Sequence, residues 1–314
     1  MNDGVLSEEA FLAQVWQTYE ERKRMFFNVL DQGLDDLVVC VFDTPDRVEH
    51  MFWRDPDEGV EGTSCPSAVE SVYVKMDQLV GESLRRVRKD TLVMVLSDHG
   101  FTSFRRGVNP NTWLLRNGYL HLLPDADSST DWLECVDWSR TRAYALGLAG
   151  IFVNLRGREA RGIVDPGREL DDLLSELKAR LEALVDEGGT STSDAARSPI
   201  RHVYVARRDF KGPCRLEGPD LIVGYERGYR CSREGARGQV TEDVFTDNTK
   251  AWCGDHCVDP ELVPGVLFAN RPLNGRTPNI IDIAPTVLDA FGLVRPDAMQ
   301  GKSLLGKQTA ESAN

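Results

Sequence analysis

Three stretches far apart in the chain set a histidine beside an aspartate or four residues after one: Asp46 to His50, Asp98-His99, and His256 after Gly254-Asp255. They use three of the five histidines in the sequence. Borderline divalent ions take imidazole nitrogens and carboxylate oxygens as ligands, so a chain that gathers these groups near strand ends is a candidate binuclear metal enzyme. Each motif also has a plainer reading. An aspartate at a strand end serves as a helix N-cap, and a single loop histidine is ordinarily hydrogen-bonded or solvated. Asp46 and His50 stand apart because an i, i+4 spacing puts both side chains on one face of a helical turn, as a ligand pair or as a surface ion pair. Asp43 is the alternative carboxylate to Asp46.

Other side chains near these motifs fill out the list of candidates. Arg47, Arg105 and Arg106 have the bidentate donors that suit substrate oxygens, with plain surface arginine as the other reading. Trp53 and Trp252 are either cleft walls or core. His121 and His202 sit in apolar, strand-like surroundings and read as structural. Cys253 and Cys257 flank His256 as a conceivable small zinc site, but no second Cys or His pair of finger-like spacing follows them, so packing is the expectation.

The elements that must position these groups are legible from apolar periodicity. Ser7 with Glu8 and Glu9 is an N-cap with an acidic first turn, and Phe11, Leu12, Val15, Trp16 and Tyr19 make one helical stripe running to about Leu30. The unbroken apolar run Leu37 to Phe42 predicts a buried parallel strand that ends at the Asp43 to His50 stretch. A helix follows over Ser67 to Arg88, and a second strand over Thr91 to Leu96 delivers Ser97-Asp98-His99-Gly100. A strand, helix, strand crossover brings both motifs to one edge of a parallel sheet, where open α/β sheets bind ligands. From 121 to 238 the pattern shortens into an inserted α+β cap, with strands near 150–154, 202–206 and 221–224, a helix near 169–185 and a polar loop at 188–199. The core resumes over 239–314, with a strand at Val266 to Ala269 and a helix from Asp282 to Phe291. The expected domains are thus core 1–120, cap 121–238 and core return 239–314.

Composition bounds the partners. A chain of 314 residues, 41% hydrophobic and 28% charged, predicts a soluble globular protein with a large core. Its formal net charge of −13 argues against nucleic-acid backbone or anionic membrane as a partner, and an acidic protein acting on an anionic substrate needs cations. No apolar run approaches the roughly 20 residues of a membrane helix. Met1-Asn2-Asp3-Gly4 opens no secretory signal, which leaves the cytoplasm as the default compartment. The seven cysteines lack the spacing of a disulfide framework and read as free thiols.

Taken together, the motifs resemble those of the alkaline phosphatase superfamily. Pro45-Asp46-Arg47-Val48-Glu49-His50 is similar to its P-D-x-x-x-H element, Ser97-Asp98-His99-Gly100-Phe101 to the S-D-H-G-[MF] signature of its phosphodiesterase and phosphomutase branches, and Gly254-Asp255-His256 to the late G-x-H. The stretches Ile281 to Leu288 and Met299 to Leu304 resemble its closing I-D-I-A-P-T-[VL]-L helix and M-x-G-x-S-L segment. The branch resembled is that of type I phosphodiesterases and nucleotide pyrophosphatases. This resemblance implies a mostly parallel sheet flanked by helices and hydrolysis or transfer of phosphate esters on phosphorylated small molecules or nucleotides. It implies two divalent ions, zinc in a hydrolase or manganese in a mutase, with Asp46, His50 and His256 on one and Asp98 and His99 on the other. A phosphomutase of the same superfamily and a non-catalytic protein that binds metal or a phosphorylated ligand are the alternatives.

The resemblance also implies a Ser or Thr nucleophile between the ions and a further Asp, both from an early strand. No strand followed by Asp and a Ser/Thr motif precedes Leu37, and Thr63 and Ser64 are the internal substitutes, set in a polar loop. Truncation of the core at its N-terminal side is therefore expected, which predicts an exposed apolar edge and face and poor solubility in isolation.

Overall fold

The computed structural model describes residues 1, 4–53, 67–188 and 198–306. Thr63 and Ser64 lie outside the described residues, as does most of the loop expected at 188–199. In chain order the elements are α1 (Glu8–Gln32), α2 (Thr44–Phe52), α3 (Ala68–Arg86), β1 (Met94–Leu96), β2 (Thr102–Val108), α4 (Pro110–Arg116), β3 (Ala143–Leu146), β4 (Gly150–Val153) and α5 (Arg168–Glu182). There follow β5 (Ile200–Val205), α6 (Ala206–Asp209), β6 (Leu221–Tyr225), β7 (Gly228–Cys231), α7 (Arg233–Ala236), β8 (Phe245–Asp247), β9 (Gly254–Asp255), β10 (Leu267–Ala269) and α8 (Ile283–Ala290). The mixed α/β class expected from the periodicity is observed. The chain divides into two compact units, one of residues Met1–Trp16, Asp43–Ser71 and Phe101–Val263, the other of Gln17–Phe42, Val72–Gly100 and Pro264–Asn314.

The first unit is built on two sheets. In one, β2 is central, with β7 parallel to it, β8 antiparallel, and β9 antiparallel at its N-terminal end through Thr102 opposite Asp255 and Ser103 opposite Gly254. The other is an antiparallel sheet of order β3-β4-β6-β5. Leu170, Leu173, Leu174, Leu177 and Leu181 form the buried stripe of α5, spaced at three and four residues as a helix face requires. Alternate residues of β5, Val203 and Val205, join them in one core with Leu221, Val223 and Tyr225 of β6. Arg106 on β2 is bound bidentately by the buried Asp186, at 2.5 and 3.1 Å, and also pairs with Asp247. It holds the sheet to the loop after α5 and is not available for substrate oxygens.

In the second unit, the α1 residues from Gln17 onward meet α3 through Lys23–Glu82 at 2.8 Å and through Arg86, which pairs with Asp31 and lies 4.2 Å over the Phe27 ring. Here two expectations are corrected. Leu37 to Phe42 belongs to no strand ladder among the described residues. Phe42 packs on Tyr19 and Phe26, while Leu37, Val39 and Val41 on the alternate face are 52%, 77% and 72% exposed. A β-branched run has the conformation of a strand but needs a neighbour's backbone to become one, and none of the described elements supplies it. The expected strand at 91–96 shortens to β1 and pairs antiparallel with β10, so the parallel crossover joining the two runs is absent from the described residues.

The closing motifs have a structural role in this unit. Asp282 accepts the backbone amides of Asn279 and Lys302 and pairs with Arg276 at 3.1 Å, and the Thr286 hydroxyl accepts the Leu304 amide at 2.9 Å. A Cβ at Gly301 would stand 1.9 Å from the Ile281 carbonyl oxygen, so only glycine permits the segment to lie against the turn before α8. Gly301→Ala is expected to destabilise the protein by about 1–3 kcal/mol, whereas Gly306→Ala, whose Cβ meets nothing within 4 Å, is expected to leave the unfolding midpoint in place. Calorimetry checks this, and equal midpoints contradict the packing role.

Candidate metal centre

The site in the first unit begins with α2. Pro45 sits in its first turn, where a missing N–H breaks no helical hydrogen bond. Val48 and Met51 turn into the core. Asp46 and His50 share another face, as their spacing predicts, with Asp46 Oδ1 3.4 Å from His50 Nε2.

β9 then comes up against this helix. Cys253 donates its amide to the His50 carbonyl at 2.8 Å, and His50 Nδ1 lies 2.8 Å from the Gly254 carbonyl oxygen. A carbonyl has only lone pairs to offer, so Nδ1 carries the proton and donates it. Of the two neutral tautomers this favours the one with its lone pair on Nε2, and Nε2 is the atom turned toward Asp46. Glycine is required at 254, because a Cβ there would stand 2.3 Å from the Glu49 carbonyl oxygen and 2.6 Å from Trp53 Cβ. Two residues on, His256 Nε2 lies 3.6 Å from the same Asp46 Oδ1.

Aromatic rings close the site. Trp252 lies against His50, ring centroids 3.8 Å apart and tilted by 31°. Phe101 sits edge-on to His50 at 4.9 Å and to His256 at 5.4 Å, with Trp53 6.0 Å beyond it. His50 is buried, and Asp46, at 39% side-chain exposure, keeps an open side. A tetrahedral ion with bonds of about 2.0–2.1 Å has ligand-to-ligand edges of about 3.3–3.4 Å. Asp46 Oδ1 with the two Nε2 atoms, at 3.4 and 3.6 Å, is close to that spacing. Asp46 Oδ1 thus stands at ligand-like distance from each imidazole nitrogen, and a carboxylate with imidazoles is a donor set that suits a divalent ion.

Asp255 is a buried side chain beside these groups that the motifs did not single out. It is 1% exposed, pairs with Arg230 of β7, and accepts the Trp252 indole N–H at 2.7 Å and the amides of His256 and Cys257 at 2.9 and 2.8 Å. Burial by itself pushes its carboxyl upward. The Arg230 charge, with the Cys257 amide and the Trp252 indole, outweighs burial and holds the group below the ordinary carboxylate range. Its only signal in the sequence was its position as the middle residue of Gly254-Asp255-His256.

Asp98 and His99 follow β1 directly in the second unit. His99 Nδ1 lies 3.1 Å from the Gly100 carbonyl oxygen, the His99 amide donates to Asp98 Oδ1 at 3.2 Å, and His99 Nε2 lies 3.6 Å from that oxygen. The same device recurs: a backbone carbonyl orients the imidazole so that Nε2 faces a carboxylate.

The remaining candidates fall elsewhere. Arg47 reaches Gln14 and lies 5.9 Å over the Phe11 ring. His202 pairs with Glu182 at 3.2 Å and packs on Tyr204, and the main chain of His121 bonds to the Thr141 hydroxyl. Burial, with the Asp255 charge, pushes the Cys257 thiol up to about 12, and the Cys253 thiol lies 3.4 Å from the Trp53 carbonyl oxygen.

Among known proteins, the family model of type I phosphodiesterase / nucleotide pyrophosphatase matches residues 5–249. No curated protein matches the chain. His256 lies beyond the matched residues, and its place beside Asp46 rests on the distances above. Gly254→Ala is expected to push β9 off α2, costing about 1–3 kcal/mol and weakening zinc uptake. Thermal unfolding and chelator competition measure both effects. Unchanged zinc affinity in the variant contradicts the part given to Gly254.

Proposed function

Because the chain belongs to the type I phosphodiesterase / nucleotide pyrophosphatase family, we propose that it acts on phosphate esters of small molecules or nucleotides with the help of two divalent ions. The observation that carries this is the single Asp46 oxygen lying 3.4 and 3.6 Å from two imidazole nitrogens. Asp46, His50 and His256 hold the first ion. Asp98 and His99 hold the second, on the strength of the family order of motifs and of the matching orientation of His99. Zinc suits this donor set for a hydrolase, and manganese is the alternative ion.

When bound, such ions neutralise phosphate oxygens and make a hydroxyl nucleophile easier to ionise. The chain's own residues do the positioning. Asp46 would neutralise part of the ion's charge, while His50 and His256 would each offer an Nε2 lone pair to it. Trp252 and Phe101 keep water from the buried side of His50, leaving the Asp46 side open for an ester to enter. Arg106 takes no part, being held by Asp186 and Asp247.

The nucleophile and the last carboxylate of the second ion are assigned to a segment outside this sequence. The run Leu37 to Phe42, in no ladder among the described residues and with three exposed aliphatic side chains, supports this by presenting apolar surface that another strand would cover.

The test compares this chain with one extended through the upstream reading frame, both loaded with zinc or manganese, on nitrophenyl phosphate mono- and diesters. Turnover is expected in the extended form and not in this chain. His256→Ala in the extended form is expected to empty one metal site and to lower kcat at least tenfold, since one of three ligands is gone. Equal turnover by both forms would mean the nucleophile lies within these residues; no metal and no turnover in the extended form would sink the enzyme reading.

A further inference from the structure

We infer that Asp255 is a positioning residue of the first metal site, with Arg230 as its counter-ion. The inference rests on the assignment of Asp46, His50 and His256 as ligands and adds to it the group that orients them. The two oxygens of Asp255 reach both histidines by separate routes. Oδ1 accepts the amides of His256 and Cys257, which fixes the backbone from which the His256 ring projects. Oδ2 accepts the indole N–H of Trp252, whose ring lies 3.8 Å from that of His50. One buried carboxylate therefore sets the direction of one ligand and the wall behind another.

A buried carboxylate is costly unless its charge is matched. Arg230 matches it: the guanidinium pairs with Oδ2, donates to the Cys231 carbonyl at 3.0 Å and lies 5.1 Å over the Phe104 ring, so it has little freedom to leave. Arg230 comes from β7, which runs parallel to β2, and Asp255 comes from β9, which pairs with the N-terminal end of β2. The ion pair thus ties the middle segment of the chain to the loop bearing His256. A substitution in β7, remote in sequence from every ligand motif, is felt at the metal.

Replacement by asparagine separates this role from simple packing. Asp255→Asn keeps size and one acceptor oxygen, but its amide nitrogen can accept neither the Trp252 N–H nor the Arg230 guanidinium. The measurement is zinc affinity of the full chain by chelator competition, with the visible spectrum of the cobalt(II)-loaded protein as a report on ligand geometry. Loss of an outer partner of a metal-binding histidine weakens affinity by about 10–100-fold, and that weakening is expected here, with a changed cobalt spectrum in a protein that still unfolds cooperatively. Zinc affinity within twofold of wild type overturns the proposal. Where Asp255→Asn fails to fold, Trp252→Phe decides: it keeps an aromatic ring at 252 but removes the indole N–H along with the second ring, and it is expected to weaken zinc by a few-fold, unchanged affinity again overturning the proposal. A wild-type chain whose zinc uptake is indifferent to His256→Ala overturns the ligand assignment itself, which separates that failure from a failure of Asp255.

Discussion

The hydrogen bond from His50 Nδ1 to the Gly254 carbonyl is the contact on which the metal centre depends. It brings the late motif to the early one, since the same approach that lets Gly254 reach His50 sets His256 beside Asp46. It also fixes the chemistry of the ring. With Nδ1 held by the carbonyl, the ring turns Nε2 toward Asp46, and its neighbour Trp252 closes one face. The constraint extends to residue type: no side chain fits at 254 between the Glu49 carbonyl and Trp53, so the glycine of the G-x-H element is there for packing as much as for turning.

Charge is distributed around this contact in a consistent way. The buried carboxylate, Asp255, is matched by arginine and hydrogen-bonded on both oxygens, while Asp46, the one expected to face an ion, keeps an open side. A group that is already neutralised costs little to bury and stays where it is; a group left for a cation needs access. For a chain of net charge −13 that belongs to a family acting on phosphate esters, bound cations are the simplest means of drawing in an anion.

How much of this the sequence reveals depends on whether the determinant is local. Asp46 and His50 are legible because helical spacing alone puts them together, and α5 and the strands β4, β5 and β6 follow from their own sequence pattern, whereas β3 is not among the expected strands. His256 is legible only through resemblance to a known motif, since nothing local says that it returns to α2. Asp255 was passed over because its importance lies in Arg230 and Trp252, partners defined by the pairing of β9 and β7 with β2. β2 itself escaped notice, as a strand with two arginines and a glycine lacks the apolar pattern of a core strand. Leu37 to Phe42 misled in the opposite direction: its composition is that of a buried strand, but strand formation is decided by a neighbour, and among the described residues it has none.

The family's chemistry and the local geometry meet in a single claim, that Asp46, His50 and His256 bind one ion through an oxygen and two Nε2 atoms. X-ray absorption at the zinc edge of the chain loaded with one equivalent of zinc tests it most directly. The account predicts two imidazole nitrogens and at least one oxygen at about 2.0–2.1 Å, with one imidazole lost in His50→Ala. A zinc environment without imidazole, or one that His50→Ala leaves unaltered, would contradict it.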